Sequence, residues 1–303
     1  MGRKDLSFEQ KRELIENSNF YWKIYWYSYP YVRKARVKVT VKEKKRSKEE
    51  LKDLTQSIST GPLRLDLLSR AELLYGISIQ DDIGIQKKMY YEYNQKYDNS
   101  TSNNNLGALY LKIALNELED SSKKQLYIDS ADFYLTKSIE KHKKPINHHN
   151  KAILNLIKGN PSEALNHSKK SLELYNGIES NKSVYNETLA STYYLLGDYR
   201  NAARFFKKVN QSANISFNIG LCYLFLNNFE NAEDFFTEAS KQNEQWVLPY
   251  YGLTILYARL NNYEELDGLI LKIFEKDKEL HSRLKQDVEL SDYWEYKKQQ
   301  NVN

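Results

Sequence analysis

Only one cysteine, Cys222, occurs in 303 residues, so no internal disulfide can form and the chain suits a reducing compartment or is indifferent to redox state. Prolines number five, too few for long disordered stretches. The longest nearly uncharged run, residues 246–258, contains Pro249 and is too short to cross a bilayer. Met1-Gly2-Arg3-Lys4 leads straight into charge without the apolar core of a secretory signal, and Leu6 stands where a myristoylation signal carries Ser or Thr. These absences predict an intracellular, cytoplasmic protein with no transmembrane span.

Signatures of catalysis are missing too. There is no phosphate-binding glycine loop, no Gly-x-Ser-x-Gly elbow, no His-Glu-x-x-His and no zinc spacing. His142, His148 and His149 resemble a metal cluster only superficially, because adjacent histidines point to different helix faces and Ile153 occupies the i+4 position. Cys222 reads as a small packing residue, and Asp81-Asp82 as charge favourable to a helix start. The expectation is a protein that is not an enzyme and holds neither cofactor nor metal.

What is present is unevenly distributed charge. Net charge is +5, yet residues 1–60 carry 15 Lys or Arg against 8 Asp or Glu, so the basic excess lies in the N-terminal segment. Within it stand Arg33, Lys34, Arg36, Lys38, Lys42, Lys44, Lys45 and Arg46, close to Tyr21, Trp22, Tyr25, Trp26 and Tyr27. Cations beside rings are the ingredients of nucleic-acid binding, which would run through residues 20–48, although no recognised nucleic-acid motif is present. The competing reading packs the rings inward and leaves the lysines to keep a strand edge soluble; an anionic membrane surface is a third.

Along the chain, Ser7 and Gln10 cap a helix over residues 6–17, and the alternation of Val37, Val39 and Val41 after Tyr29-Pro30-Tyr31 predicts a β-hairpin at 20–42. Ser47 and Glu50 start a helix through Leu51, Leu54 and Ile58, broken at Gly61-Pro62. Leu63, Leu67, Leu68, Ala71 and Leu74 form one apolar face ending at Gly76, and Ile85, Met89, Tyr93 and Tyr97 step by four along the next. The polar run 98–105 reads as a loop and an internal boundary. The division is therefore an extension over 1–60, a helix pair over 61–98, repeats over 99–276 and a cap over 277–303 with Leu280, Leu284, Val288 and Trp294.

The repeats carry the strongest signal. Leu196-Gly197-Asp198-Tyr199…Ala202…Phe206 returns as Leu226-Asn227-Asn228-Phe229…Ala232…Phe236, as Leu260-Asn261-Asn262-Tyr263…Leu266…Ile270 and as Lys158-Gly159-Asn160-Pro161…Ala164…Ser168. A period near 34 marks stacked helical hairpins. Helix pairs are expected near 106–141, 146–175, 184–210, 213–240 and 247–275, with Gly or Asn ending each first helix in the left-handed conformation and Ala letting the helices approach.

These blocks, with Ile219-Gly220…Tyr223 and Leu106-Gly107…Tyr110, resemble the tetratricopeptide repeat family over roughly residues 100–280. The resemblance implies an all-α fold, a right-handed α-solenoid, and a concave groove lined by first helices that binds a partner peptide or helix, as in an adaptor or scaffold. Transferred repeat by repeat, groove positions are Ile146, His149, Asn150 and Ile153; Val184, Glu187, Thr188, Ser191 and Tyr194; Asn214, Phe217, Asn218 and Leu221; and Tyr251 and Ile255. Asn150 and Asn218 would hold a peptide backbone, and Phe217, Tyr194 and Tyr251 would form pockets. The cationic clamp of chaperone-tail binders is missing, because His149, Ile153, Glu187 and Ser191 fill its positions. Alternatives to the adaptor are a nucleic-acid-associated protein using the basic segment and a receptor for a signalling peptide. The oligomeric state is left open.

Overall fold

Every regular element among the described residues is a helix, and the shortness of the turns decides how the helices pair. The computed structural model describes residues 46–61, 64–117, 120–177 and 182–300. The helix expected at 6–17, the hairpin at 20–42 and the cations from Arg33 to Lys45 lie outside the described residues. The chain divides into two compact units, residues 1–79 and 80–303.

In the first unit, α1 (Lys48–Thr60) begins with the expected capping box: Ser47 Oγ accepts from Glu50 N at 3.1 Å, and Glu50 Oε2 accepts from Ser47 N at 2.8 Å. Leu51, Thr55 and Ile58 are buried, whereas Leu54, expected on the same face, is exposed. The apolar face expected from Leu63 to Leu74 is interrupted. A 3-10 turn at Leu65–Leu67 is followed by extended Leu68, and a fresh helix α2 (Arg70–Ser78) starts at a second capping box built by Ser69 and Glu72. Gly76 sits inside α2 instead of ending it; a Cβ there would collide with Thr55 Oγ1, so the glycine lets α1 and α2 touch.

The second unit opens with α3 (Ile83–Tyr97), capped by Asp82, which accepts from Gly84 N and Ile85 N at 2.6 and 3.1 Å. Met89 and Tyr93, two of the positions stepping by four, are buried. Five hairpins follow: α4 (Ser100–Asn116) with α5 (Ser121–Lys141), α6 (Pro145–Ile157) with α7 (Pro161–Leu174), α8 (Ser183–Leu195) with α9 (Tyr199–Phe206), α10 (Ala213–Phe225) with α11 (Phe229–Gln242), and α12 (Leu248–Arg259) with α13 (Tyr263–Lys276). This is an α-solenoid in which each hairpin packs on the next.

The run at 98–105 is not a loop beyond its first two residues. It forms the first turns of α4, and most of its side chains there are buried. Asn and Ser compete with helix backbone for hydrogen bonds, which is why the run reads as a turn. Here those side chains are occupied by tertiary partners. Asn147 Nδ2 donates to Ser100 Oγ at 2.8 Å and to the His142 carbonyl at 2.7 Å, while Ser102 Oγ bonds Asn94 Oδ1 at 2.7 Å. Asn103 Nδ2 donates to Asp98 Oδ1 at 3.0 Å. The carboxylate of Asp98, itself left-handed at φ 30°, is held well below the usual range by Asn103, Lys137 and Lys141.

Four hairpin turns share one backbone solution. Gly159, Gly197, Asn227 and Asn261 have φ of 71°, 76°, 55° and 55°. In each, the N–H of the next residue reaches back into the last turn of the first helix, as in Asp198 N to Tyr193 O at 2.9 Å and Asn228 N to Tyr223 O at 2.9 Å, which closes a Schellman turn. The small positions Ala131, Ala164, Ala202, Ala232 and the equivalent Leu266 are all fully buried. One turn after Ala232 on α11, Phe236 packs against both Gly220 and Gly252: a Cβ on either glycine would come within 2.6 or 2.8 Å of its ring.

The rings that follow the turns also join successive repeats. Tyr199 stacks on Phe225 at 4.7 Å, and Tyr263 meets Tyr293 and Tyr296 at 5.9 and 4.9 Å. At the C-terminal end, α14 (Lys278–Leu284), a 3-10 turn (Val288–Leu290) and α15 (Ser291–Gln300) cover the last hairpin. Leu284, Leu290 and Tyr293 are buried there, whereas Val288, expected in the cap, is exposed. Tyr293 donates to Asp267 at 2.5 Å, just as Tyr257 donates to Glu233 at 2.7 Å one repeat earlier. The cap therefore imitates the first helix of a further repeat.

Candidate functional site

The left-handed turn residue gives each repeat a common zero. Counting back from it, the first helices set Ile146, Val184, Asn214 and Leu248 in one row; His149, Glu187, Phe217 and Tyr251 in the next; then Asn150, Thr188, Asn218 and Gly252; then Ile153, Ser191, Leu221 and Ile255. A last row, two residues before the turn, holds Ile157, Leu195, Phe225 and Arg259. The two outer rows expose apolar surface: Ile146 39%, Val184 49%, Leu248 37%, Leu195 59% and Phe225 42%. Leu195, Phe225 and Leu248 were not among the residues that sequence reasoning selected. Their signal is an apolar residue recurring at a fixed distance before the Gly or Asn turn.

The inner rows divide into engaged and unengaged groups. His149 shares a hydrogen bond at Nδ1 with Thr188 Oγ1 at 3.2 Å and packs edge-on to Tyr185, and burial pushes its pKa down to about 4, so it is neutral near pH 7. Asn150 Nδ2 already donates to Asn104 Oδ1 at 2.9 Å. Phe217 is packed on Phe236 and Trp246, and Tyr194 on Tyr199 and Phe225. Tyr251 donates to Asp287; burial first, and then this carboxylate, push its phenol up to about 12. By contrast, the side chains of Glu187, Ser191, Asn214 and Asn218 have no hydrogen-bond partner among the described residues, and all four keep solvent access. Charge is nearly absent from the rows: Glu187 has no ion-pair partner among the described residues, and Arg259 is locked bidentately to Glu289 at 2.5 and 3.0 Å.

Other candidate groups fall elsewhere. Arg46, the one described member of the basic cluster, pairs with Glu72 at 2.7 Å. His148 faces neither His142 nor His149; its Nδ1 lies 2.9 Å from His167 Nδ1, across the hairpin between α6 and α7. Burial, then His167, Lys170 and Lys143, push its pKa down to about 4. No group of three His, Cys, Asp or Glu among the described residues could hold a metal ion. Cys222 is buried and its thiol is pushed up to about 12 by that burial, which leaves it a packing residue. A depression of about 580 Å³ runs along α5 between Asp129 and Glu140, but one helix alone lines it, and Lys151 and Lys158 occupy its Asp132. No helix among the described residues is long and apolar enough to cross a membrane.

Comparison with known proteins agrees with the helical-repeat fold. A sequence profile of the tetratricopeptide repeat matches residues 213–245, the hairpin of α10 and α11. Among solved structures, YrrB, described as a TPR protein with an unusual peptide-binding site, aligns with TM-score 0.52 at 14% identity over 65% of this chain and 98% of that one. The APC/C hetero-tetramer Cut9-Hcn1 aligns with TM-score 0.57 at 11% identity over 78% of this chain and 45% of the other. Such identities speak to fold alone. No curated protein sequence gives a significant match.

Proposed function

We propose, on the premise that this chain is a tetratricopeptide-repeat protein, that it is a non-catalytic scaffold holding a peptide or helix of another protein along its first helices. The observation that carries this reading is the pattern of the rows. Two outer lines, apolar except at Asn214 and Arg259, flank inner positions where Glu187, Ser191 and Asn218 keep unused donors and acceptors, as Asn214 does at the rim. An apolar rim with convergent, unsatisfied polar groups suits a segment that brings both side chains and main-chain groups.

The near absence of charge in the rows favours an uncharged, apolar segment over an acidic tail. Asn150, His149 and Tyr251 support the site from within, since Asn150 Nδ2, His149 Nδ1 and the Tyr251 hydroxyl are already engaged with Asn104, Thr188 and Asp287. Asn218 and Phe225 are assigned the direct contacts.

The test is panning a displayed peptide library against the full chain and measuring the selected peptides by fluorescence anisotropy. Asn218→Ala is expected to weaken binding about 5- to 10-fold and Phe225→Asp more than 10-fold, in line with loss of one hydrogen bond and one apolar contact. Peptides that bind equally well to both variants would remove the groove from the account.

A further inference from the structure

The second helices carry a charge pattern that the groove does not use. On α9 and the turn that follows it, Arg200, Arg204 and Lys208 recur every four residues, and on α11 the same three repeat positions hold Glu230, Asp234 and Glu238. The equivalence is fixed by the core: each cation or acid is counted from a fully buried alanine, Ala202 or Ala232, and each helix is capped in the same way, by Asp198 accepting from Asn201 N and by Asn228 accepting from Asn231 N. Five of the six side chains belong to exposed residues, and Glu238 is partly exposed. None of the six forms an ion pair within the described residues. Arg204 and Lys208 lie over the Phe205 ring at 4.8 and 4.9 Å, which holds the basic stripe extended along the helix.

Like charges four apart on one helix repel, so each stripe works against its own helix, and does so twice. A facing stripe of opposite sign would reverse that. We propose that the chain pairs with a second copy of itself through the outer faces of α9 and α11. Both are second helices of consecutive hairpins and run the same way. A two-fold axis parallel to both helices, lying outside the protomer and level with the midpoint between them, sets α9 of one protomer over α11 of its partner and α11 over α9. Position then matches position: Arg200 meets Glu230, Arg204 meets Asp234 and Lys208 meets Glu238, and symmetry repeats each pair. Arg200 to Arg204 and Glu230 to Asp234 are each one α-helical step of about 6 Å, so the first two pairs share a register, and Lys208 follows on the turn after α9. The pairing leaves the first helices open, so it is independent of groove binding. Being made of exposed charges, it is sensitive to salt.

Sedimentation velocity on the full chain tests this at ~20 mM and ~500 mM salt, either side of the range in which screening becomes short. A dimer at low salt that dissociates at high salt is expected. Arg204→Glu and Asp234→Arg, each a surface change, should separately weaken association more than tenfold by placing like charges opposite one another. Mixing the two variants should restore a dimer, because only the mixed pair sets the introduced glutamate against the introduced arginine while the native Asp234 of one chain still meets the native Arg204 of the other. A chain that stays monomeric at low salt, a dimer indifferent to either reversal, or a mixture no more associated than its components would each overturn the proposal.

Discussion

Replacing Gly220 by alanine should destabilise the solenoid, although alanine is the better helix former by about 1 kcal/mol. The added Cβ would fall 2.6 Å from Phe236 Cδ1 and 2.7 Å from Cε1, and the ring has little room to move because Gly252 packs on it as well, with a Cβ position 2.8 Å from both Cε1 and Cζ. Overpacking of this kind costs roughly 1–3 kcal/mol, so after the propensity gain the net loss is up to about 2 kcal/mol. Phe236→Ala removes a fully buried ring and should cost about 3–5 kcal/mol. In that background the collision vanishes, and Gly220→Ala should become stabilising by about 0.5–1 kcal/mol. The sign reversal is the signature, read as a double-mutant cycle from urea unfolding followed by circular dichroism. At typical urea sensitivities Phe236→Ala should lower the midpoint by roughly 1–2 M. Additive effects, or a stabilising Gly220→Ala in the native background, would show that Phe236 is not the ring these glycines admit.

Asn227→Gly and Asn261→Gly should each raise stability by up to about 1 kcal/mol, since both residues sit at φ 55°, and Asn227→Ala should lower it by a similar amount in thermal melts. Tyr257→Phe and Tyr293→Phe should each cost about 1–2 kcal/mol and increase hydrogen exchange in α12 and α15, because Glu233 and Asp267 lose their phenolic donors. His148 and His149 have folded pKa values near 4, below the unfolded 6.5, so the unfolded state binds more protons in that window. Stability should be complete above pH 6.5 and decline as pH falls towards 4, and His149→Gln should flatten the decline in equilibrium unfolding measured across that range. Glu72, lowered to about 2 by Ser69 first and then Arg46, should titrate near that value by NMR; its contribution to α2 is present above the unfolded carboxylate pKa and lost as pH falls through 2.

What could be read from the chain was whatever sterics imposes at a fixed spacing. Gly197 and Asn227 announce the left-handed turn because few other residues tolerate it, and Ala202 and Ala232, small and fully buried, announce close helix contact. What escaped reading depends on hydrogen bonds that the residue pattern does not announce. Ser102, Asn103 and Asn104 look like a turn until Asn94, Asp98 and Asn150 are brought alongside to satisfy them. Ser69 was hidden by the leucines around it, yet its capping box with Glu72 outweighs the continuity of their face. Groove positions followed from the repeat register, but register alone could not distinguish Asn218, whose carboxamide has no partner among the described residues, from Asn150, whose Nδ2 already donates to Asn104. His148 found its partner in His167 only once the hairpin had closed.

The most direct test of the scaffold reading is site-specific photo-crosslinking in cells, with benzoylphenylalanine placed at Asn218 or Leu195 on the first helices and at Asp129 or Lys272 on the second helices. The account predicts that one partner protein is captured from Asn218 and Leu195 and not from the other two positions. Capture from the second-helix positions alone, or equally from all four, would contradict it.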